Sequence, residues 1–286
     1  MKMIVLSDPH QNDEKWDLLC RAVREVRPQV VAIAGDLFPK GNGILSHLSF
    51  VDSLRDYGRI IKSEGAELVI IPGNDENQNV VPALEQGDTD GLWHYVADRV
   101  KRVSSYDFCG CPWVKDHPFG YKYWVVPQRA DDIYINPFQI SGPLLINSDN
   151  EIVPIDDYRA FLSVRTDMFK LLSDMAAQVE DLSKSIWLIH DPPAGIELDV
   201  CGSGVRVGNE AVSDFLNTYQ PLLSVHGHIH ESPLVNGNIW WGKIGKTLCI
   251  QAGQPDGPLH YATFELRDGV ITKLTHSVYG PANKDF

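Results

Sequence analysis

In the first part of the chain, short runs of hydrophobic residues take turns with segments whose hydrophobic residues recur at helical spacing. Short apolar runs at residues 3–7, 29–34 and 67–72 predict buried strands. Residues 12–26 and 54–61 instead carry apolar side chains at helical spacing, and a proline or glycine follows each segment. The order strand, helix, strand, helix, strand predicts a parallel sheet with right-handed crossovers.

The second half of the chain adds strands of both directions. Apolar runs at residues 185–189 and 221–225 predict two strands, and a helix is predicted from about 157 to 182. Two further runs, 246–251 and 261–266, predict an antiparallel tail, with turns at Asn236-Gly237 and Asp268-Gly269. We therefore expect an α/β protein with mixed sheets.

The pattern weakens between residues 104 and 156, where the sequence is rich in aromatic residues, proline and glycine. We interpret this segment as an insertion or elaborated edge of a single domain that spans residues 1–286. Its part at 111–127 contains the rings Trp113, Phe119, Tyr121, Tyr123 and Trp124. These rings either roof a substrate crevice or pack against the edge of the sheet.

Polar residues gather where the predicted strands end. In open parallel sheets, ligands bind in the crevice beyond the carboxyl ends of the strands, so these residues are expected to meet. Their oxygen and nitrogen donors, without a thiolate, suit Mn, Fe, Zn or a similar divalent ion. The set is Asp8, His10, Asp36, Asn74, His190, His228 and His230. Seven ligands suit two ions that lie roughly 3.5 to 4 Å apart and share one carboxylate, and Asp36 is the natural bridge.

Four of these residues have an ordinary explanation when each is taken alone. Asp8 and Asp36 could cap the helices that follow them. Asn74 fits a turn, and His190 fits a hydrogen-bonded loop histidine. Together these explanations require seven coincidences at one sheet edge, so metal binding is the better hypothesis. His226 belongs to the strand, and we expect it to be a hydrogen-bonded core residue.

Composition narrows the class of function. The chain has 286 residues, of which 43% are hydrophobic, enough for a substantial core. The net charge of −13 disfavours extended nucleic-acid binding. Five cysteines fit a reducing compartment, and no run approaches the roughly 18 apolar residues that span a bilayer. We expect a cytoplasmic protein without membrane contact, whose oligomeric state the sequence leaves open.

Five short motifs follow predicted strands in a fixed order. They are Asp-Pro-His at 8–10, Gly-Asp at 35–36, Gly-Asn at 73–74, His190 and Gly-His-Ile-His at 227–230. In this order they resemble the motifs of the calcineurin-like metallophosphoesterase family. The resemblance implies a four-layer αββα sandwich with mixed sheets, a dinuclear metal site and hydrolysis of phosphate esters. It also implies two ligand sets with Asp36 as the bridge: Asp8, His10 and His230 for one ion, and Asn74, His190 and His228 for the other.

One position departs from the family pattern. Many members have a histidine after Gly-Asn, where it is thought to assist the leaving group or stabilise the transition state, but this chain has Asp75. The expected chemistry is attack of a metal-bridging hydroxide on phosphorus, with Asp75, His228 and Asn74 as the candidate catalytic residues. An ionised Asp75 would repel a doubly charged monoester more than a diester. This favours a phosphodiester or a small nucleotide-like ester. Alternatively, Asp75 caps a helix expected from about Gln78.

Two other functions stay open. A non-catalytic metal-binding scaffold could use the same fold, although a scaffold has no need of seven ligands. A nuclease would need a basic groove interleaved with aromatic residues. Lys115, Lys122 and Arg129 offer only a small patch of that kind.

Overall fold

The computed structural model describes residues 1–11, 14–40, 43–131, 133–139 and 141–283. In chain order its strands are β1 (Lys2–Leu6), β2 (Val30–Ala34), β3 (Glu67–Ile71), β4 (His94–Tyr95), β5 (Val100–Val103), β6 (Tyr106–Cys111), β7 (Leu144–Ile146), β8 (Ile152–Pro154), β9 (Ser185–Ile189), β10 (Leu223–His226), β11 (Trp241–Ile244), β12 (Thr247–Gln251), β13 (Ala262–Arg267), β14 (Val270–His276) and β15 (Gly280–Pro281). The helices are α1 (Glu14–Val26), α2 (His47–Ser63), α3 (Val81–Thr89), α4 (Tyr158–Ser163), α5 (Met168–Ala176), α6 (Glu210–Tyr219) and α7 (Ser232–Val235). Within the described ranges, no helix has the length and apolar character needed to cross a membrane.

The first sheet has the strand order β15-β14-β13-β1-β2-β3-β4. Strands β1 to β4 run parallel, with Met3 opposite Val30 and Val30 opposite Glu67. Strand β13 pairs antiparallel with β1, and β14 pairs antiparallel with β13 beyond the turn at Asp268-Gly269. The predicted parallel start and antiparallel tail are confirmed for this sheet.

The second sheet has the order β11-β12-β10-β9-β6-β5, with parallel inner strands and antiparallel edges. Its strand β6 lies inside the segment 104–156, whose other described strands form the separate β7–β8 hairpin. No sequence pattern indicated β6, because polar and small residues interrupt its apolar run. Gly110 permits close contact with the first sheet, since a Cβ there would lie 2.6 Å from the Val96 carbonyl oxygen.

The two sheets pack face to face between layers of helices. In β9, Ile186 and Leu188 join the core shared with the first sheet, whereas Trp187 and Ile189 pack with residues of α5 and α6. This alternation is the two-residue period of a strand buried on both faces. Helices α1 and α2 cover the first sheet with buried apolar residues such as Trp16. The fold is the expected αββα sandwich with mixed sheets.

Two local predictions were wrong. The helix predicted over residues 157–182 is two helices, because Asp157 caps α4 and Asp167 caps α5 through hydrogen bonds from backbone N–H groups. Asn236-Gly237 is not a hairpin turn. It ends α7, where Gly237 adopts the left-handed conformation common just beyond a helix. The turn between β11 and β12 lies at residues 245–246.

Candidate metal centre

The seven residues at the strand ends lie in one cluster where the two sheets meet. Asp8, Asp36 and Asn74 follow the parallel strands β1, β2 and β3 of the first sheet. His190 follows β9, and the segment with His228 and His230 follows β10 of the second sheet. Most of these side chains are buried, and His228 and His230 are partly exposed. The face-to-face packing therefore joins two sets of strand ends into one site.

The donor atoms lie in a row of neighbouring side chains, with Asp36 in the middle. On one side, Asp8 Oδ1 lies 3.2 Å from His230 Nε2, and His230 Nε2 lies 3.0 Å from His10 Nε2. His10 Nδ1 lies 3.7 Å from Asp36 Oδ2. These four residues each offer a ligand atom within 4.8 Å of the others.

The other oxygen of Asp36 faces the second group of ligands. Asp36 Oδ1 lies 3.4 Å from His190 Nε2, and Asn74 Oδ1 lies 2.9 Å from the same nitrogen. Asn74 Oδ1 also lies 2.5 Å from His228 Nδ1. His190 Nδ1 is bonded to the Ala34 carbonyl oxygen at 2.7 Å, which fixes the ring with Nε2 toward the site. The Asp36 carboxylate thus has one oxygen toward each group, an arrangement in which a carboxylate can bridge two ions.

The electrostatics of the cluster favour a cation. Burial opposes ionisation of Asp8, but His230 outweighs burial and lowers the pKa of Asp8 to about 2. Burial likewise opposes protonation of His190, yet the carboxylates of Asp36 and Asp8 raise its pKa to about 10. Two buried carboxylates therefore draw positive charge to the site.

The arrangement of nitrogens fits metal ions in particular. His10 Nδ1 is buried and has no hydrogen-bond partner in the described part of the chain. His10 Nε2 and His230 Nε2 face each other at 3.0 Å, so they can share at most one proton. A divalent ion would accept lone pairs from both rings and would neutralise the carboxylates, and oxygen with imidazole donors is a suitable set for such ions.

The backbone at the site is strained or tightly packed. Asp8, Asp36 and His228 have φ of 56°, 54° and 69°, a left-handed conformation that costs roughly 1–3 kcal/mol per residue and clusters at functional sites. A Cβ on Gly73 would overlap Asp36 Oδ1, and a Cβ on Gly227 would lie 2.6 Å from Asp8 Oδ2. The motif glycines are therefore required for close approach to the ligand carboxylates.

Glu76 is a buried residue of the site that sequence patterns did not reveal. Its Oε2 accepts hydrogen bonds from the backbone N–H groups of Asp36, at 3.1 Å, and of Gly73. Its Oε1 accepts from the N–H of Phe38 at 3.2 Å. Burial, with help from the Asp36 charge, raises the pKa of Glu76 to about 8. Glu76 thus joins the loop after β2 to the loop after β3, and its only sequence signal is its place two residues after Asn74.

Asp75 lies at the mouth of the cluster, and it is not a helix cap. Asn77 caps the turn at Gln78–Val80, so the capping alternative was wrong. Asp75 Oδ1 accepts a hydrogen bond of 2.8 Å from Asn74 Nδ2, which leaves Asn74 Oδ1 directed at the site. Asp75 Oδ2 lies 2.6 Å from Lys40 Nζ and 3.7 Å from His10 Nδ1. The charge of Asp75 is therefore paired.

A second group of donors adjoins His228. The His117 ring lies 4.3 Å from the His228 ring, centroid to centroid, and His117 Nε2 lies 3.2 Å from Asp191 Oδ1. Asp191 Oδ2 accepts bonds of 2.9 Å from Lys115 N and from Asn209 Nδ2. With both carboxylate oxygens engaged inside the protein, Asp191 serves to hold the His117 ring against His228. Sequence patterns carry no signal for His117, because it lies far from the motifs along the chain.

The rings of the segment 111–127 divide between the site and its surroundings. The Phe119 ring lies 6.0 Å from the His228 ring. The Trp124 Nε1–H donates to the Glu76 carbonyl oxygen, and the Tyr121 hydroxyl accepts from Gln78 N. Trp113 instead packs with Trp124 and Tyr123. Phe119 is therefore a ring of this segment that lies beside His228, whereas Tyr121 and Trp124 anchor the segment to residues 76–78.

His226 lies outside the cluster, as predicted. It is fully buried, with Nδ1 2.9 Å from the Ile189 carbonyl oxygen and Nε2 2.9 Å from Ser224 Oγ. Its role as a hydrogen-bonded core histidine is confirmed.

Comparisons with known proteins agree with this architecture. The family model for calcineurin-like phosphoesterases matches residues 1–232. One solved structure aligns with a TM-score of 0.61 and 14% identity, covering 95% of this chain and 97% of the other. TT1561 of Thermus thermophilus aligns with a TM-score of 0.55 and 14% identity, covering 95% and 96%. At these identities the solved structures support the fold alone. The comparison with curated proteins gives no significant match.

Proposed function

The chain belongs to the calcineurin-like phosphoesterase family, and from this premise we propose that it is a phosphoric ester hydrolase that uses two divalent metal ions. The supporting observation is the order of the donor atoms, in which the two oxygens of Asp36 face two separate groups. We assign Asp8, His10 and His230 to one ion and Asn74, His190 and His228 to the other, with Asp36 shared.

The bound ions would supply charge stabilisation at the phosphoryl group and activation of water. The protein's own contribution is to hold the donors in place before the substrate binds. Glu76 fixes the loop that carries Asp36, and Asp75 fixes the amide of Asn74. Pre-arranged donors need little reorganisation during the reaction, which is the main source of electrostatic catalysis.

We infer that the substrate is a small phosphate ester, either a phosphodiester or a nucleotide-like ester. Two divalent ions beside the two ionised carboxylates, Asp8 and Asp36, would give the site a net positive charge that suits an anionic phosphate. The pairing of Asp75 with Lys40 reduces the repulsion from which a preference for diesters was inferred. That preference stays a prediction, and an Asp75→His variant tests it.

The test is a metal-reconstituted screen of aryl mono- and diesters, nucleotides and cyclic nucleotides. We expect turnover that depends on added Mn or a similar ion, is lost with chelator, and falls by orders of magnitude in Asp36→Asn. A wild-type protein that binds two ions but hydrolyses none of these esters would favour the non-catalytic scaffold. Turnover confined to polymeric DNA or RNA would favour the nuclease.

A further inference from the structure

Lys40 places a positive charge at the mouth of the metal centre. It lies four residues after Asp36, and its backbone N–H donates a 2.9 Å hydrogen bond to the carbonyl oxygen of His10. This bond ties the loop after β2 to the loop after β1. The Lys40 side chain is 46% exposed, so its ammonium group is open to a ligand from solvent.

The Asp75 carboxylate holds that ammonium group next to the ligands. Lys40 Nζ lies 2.6 Å from Asp75 Oδ2, and the same oxygen lies 3.7 Å from His10 Nδ1. Asp75 is itself fixed, because its backbone N–H donates to Asp36 Oδ1 at 3.0 Å and its Oδ1 accepts from Asn74. The Asp75 carboxylate thus lies between Lys40 and His10, which is a candidate metal ligand.

Lys40 is a cation at neutral pH, because the ordinary pKa of a lysine is about 10.4. The ion pair with Asp75 therefore holds a positive charge at the mouth of the metal centre.

We propose that Lys40 binds a non-bridging oxygen of the substrate's phosphate and that Asp75 is the positioning residue for Lys40. An ammonium group has three N–H donors, and the contact with Asp75 leaves donors for a phosphate oxygen. The inference rests on the proposed function, since it places the phosphate at the metal centre. It gives Asp75 a role in an ion pair that presents a positive charge to the substrate.

The pair also sets a preference among phosphate charges. With Lys40 present, a doubly charged phosphate gains more than a singly charged one, because attraction scales with the charge of the ligand. Without Lys40, Asp75 stands unpaired beside His10 and repels the doubly charged ligand. Removal of the Asp75 charge from the Lys40 variant should then restore part of its affinity for the doubly charged phosphate.

The experiment measures binding of inorganic phosphate and of dimethyl phosphate to the metal-loaded protein by calorimetry. The variants are Lys40→Met, Lys40→Arg and the double variant Lys40→Met/Asp75→Asn. Lys184→Met is the matched control, because Lys184 is 52% exposed and pairs with Asp181 at 3.2 Å. Lys184 lies just before the first residue of β9, whereas His190 follows the last residue of that strand. Metal content and thermal unfolding are measured for each protein.

We expect Lys40→Met to weaken inorganic phosphate binding about tenfold or more, the size of a lost charge-assisted hydrogen bond. Dimethyl phosphate should lose less, Lys40→Arg should retain most of the affinity, and the double variant should bind phosphate better than Lys40→Met. The control should match the wild type. Unchanged phosphate affinity in Lys40→Met with both ions bound would overturn the inference and leave the hydrolase proposal intact. A wild type that binds ions but no phosphate would overturn the inference, and one that binds no ions would overturn the hydrolase proposal as well.

Discussion

Glu76 gives the sharpest prediction about what holds the metal centre together. Its carboxylate accepts three backbone hydrogen bonds from the loops after β2 and β3, and its side chain is fully buried. Glu76→Ala removes all three acceptors. Each buried N–H left unsatisfied costs about 1–3 kcal/mol. We therefore expect Glu76→Ala to lower the free energy of unfolding by at least about 3 kcal/mol.

Glu76→Gln removes one of the acceptors and keeps the size of the side chain. The glutamine oxygen can still accept from Asp36 N and Gly73 N, but the amide nitrogen would face the Phe38 N–H. One donor is left without an acceptor, so the expected loss is about 1–2 kcal/mol. Metal affinity should fall more in Glu76→Ala than in Glu76→Gln, because the loops that carry Asp36 and Asn74 lose more of the hydrogen bonds that join them.

The assay is urea unfolding of the metal-free protein with chelator present, followed by titration with Mn. Glu85→Ala is the control, because Glu85 is 46% exposed and its pair with Arg99 is worth about 1 kcal/mol at most. A free energy of unfolding for Glu76→Ala within about 1 kcal/mol of the wild type would refute the reasoning, because it would mean that the three N–H groups do not depend on this carboxylate.

Three further variants test individual features of the site. Asp75→His should raise kcat/KM for aryl monoesters relative to matched diesters, because it removes a negative charge beside the metal centre; an unchanged or lower ratio with both metals bound would refute this charge argument and leave Asp75 as the residue that positions Lys40. Phe119→Ala should change the preference among leaving groups, whereas Trp113→Leu should change only stability, and the access role fails if both variants keep the wild-type preference. Gly227→Ala should weaken Mn binding at least tenfold, since the new Cβ meets Asp8 Oδ2. Wild-type Mn affinity in this variant would show that the loop can move aside.

The metal ligands were predictable because each follows a strand with a simple apolar pattern. Parallel strands place their carboxyl ends at one edge, so Asp8, Asp36 and Asn74 could be brought together from sequence order alone. Neither Lys40 nor Glu76 had such a signal, because their roles depend on contacts between loops. Strand β6 was missed for a similar reason: its burial comes from the two sheets around it, and its own alternation is weak.

The boundary between helices α4 and α5 depends on a single capping residue, which hydrophobic spacing does not reveal. The apolar positions of α4 and α5 follow each other without an obvious gap, so one helix was predicted. Asp167 accepts a hydrogen bond from Lys170 N and thereby starts a new helix. A capping aspartate and a helix-interior aspartate look alike in a single sequence, and only the backbone conformation separates them.

The most direct test of the metal centre is the number of divalent ions bound per chain in the wild type, Asp36→Asn and His230→Ala, measured by elemental analysis and anomalous scattering at saturating Mn. We predict two ions in the wild type, one beside Asp8 and one beside Asn74. Asp36→Asn should weaken both sites, whereas His230→Ala should mainly empty the site beside Asp8. A single fully occupied ion in the wild type, ions bound elsewhere, or equal loss from the two variants would contradict the shared role of Asp36.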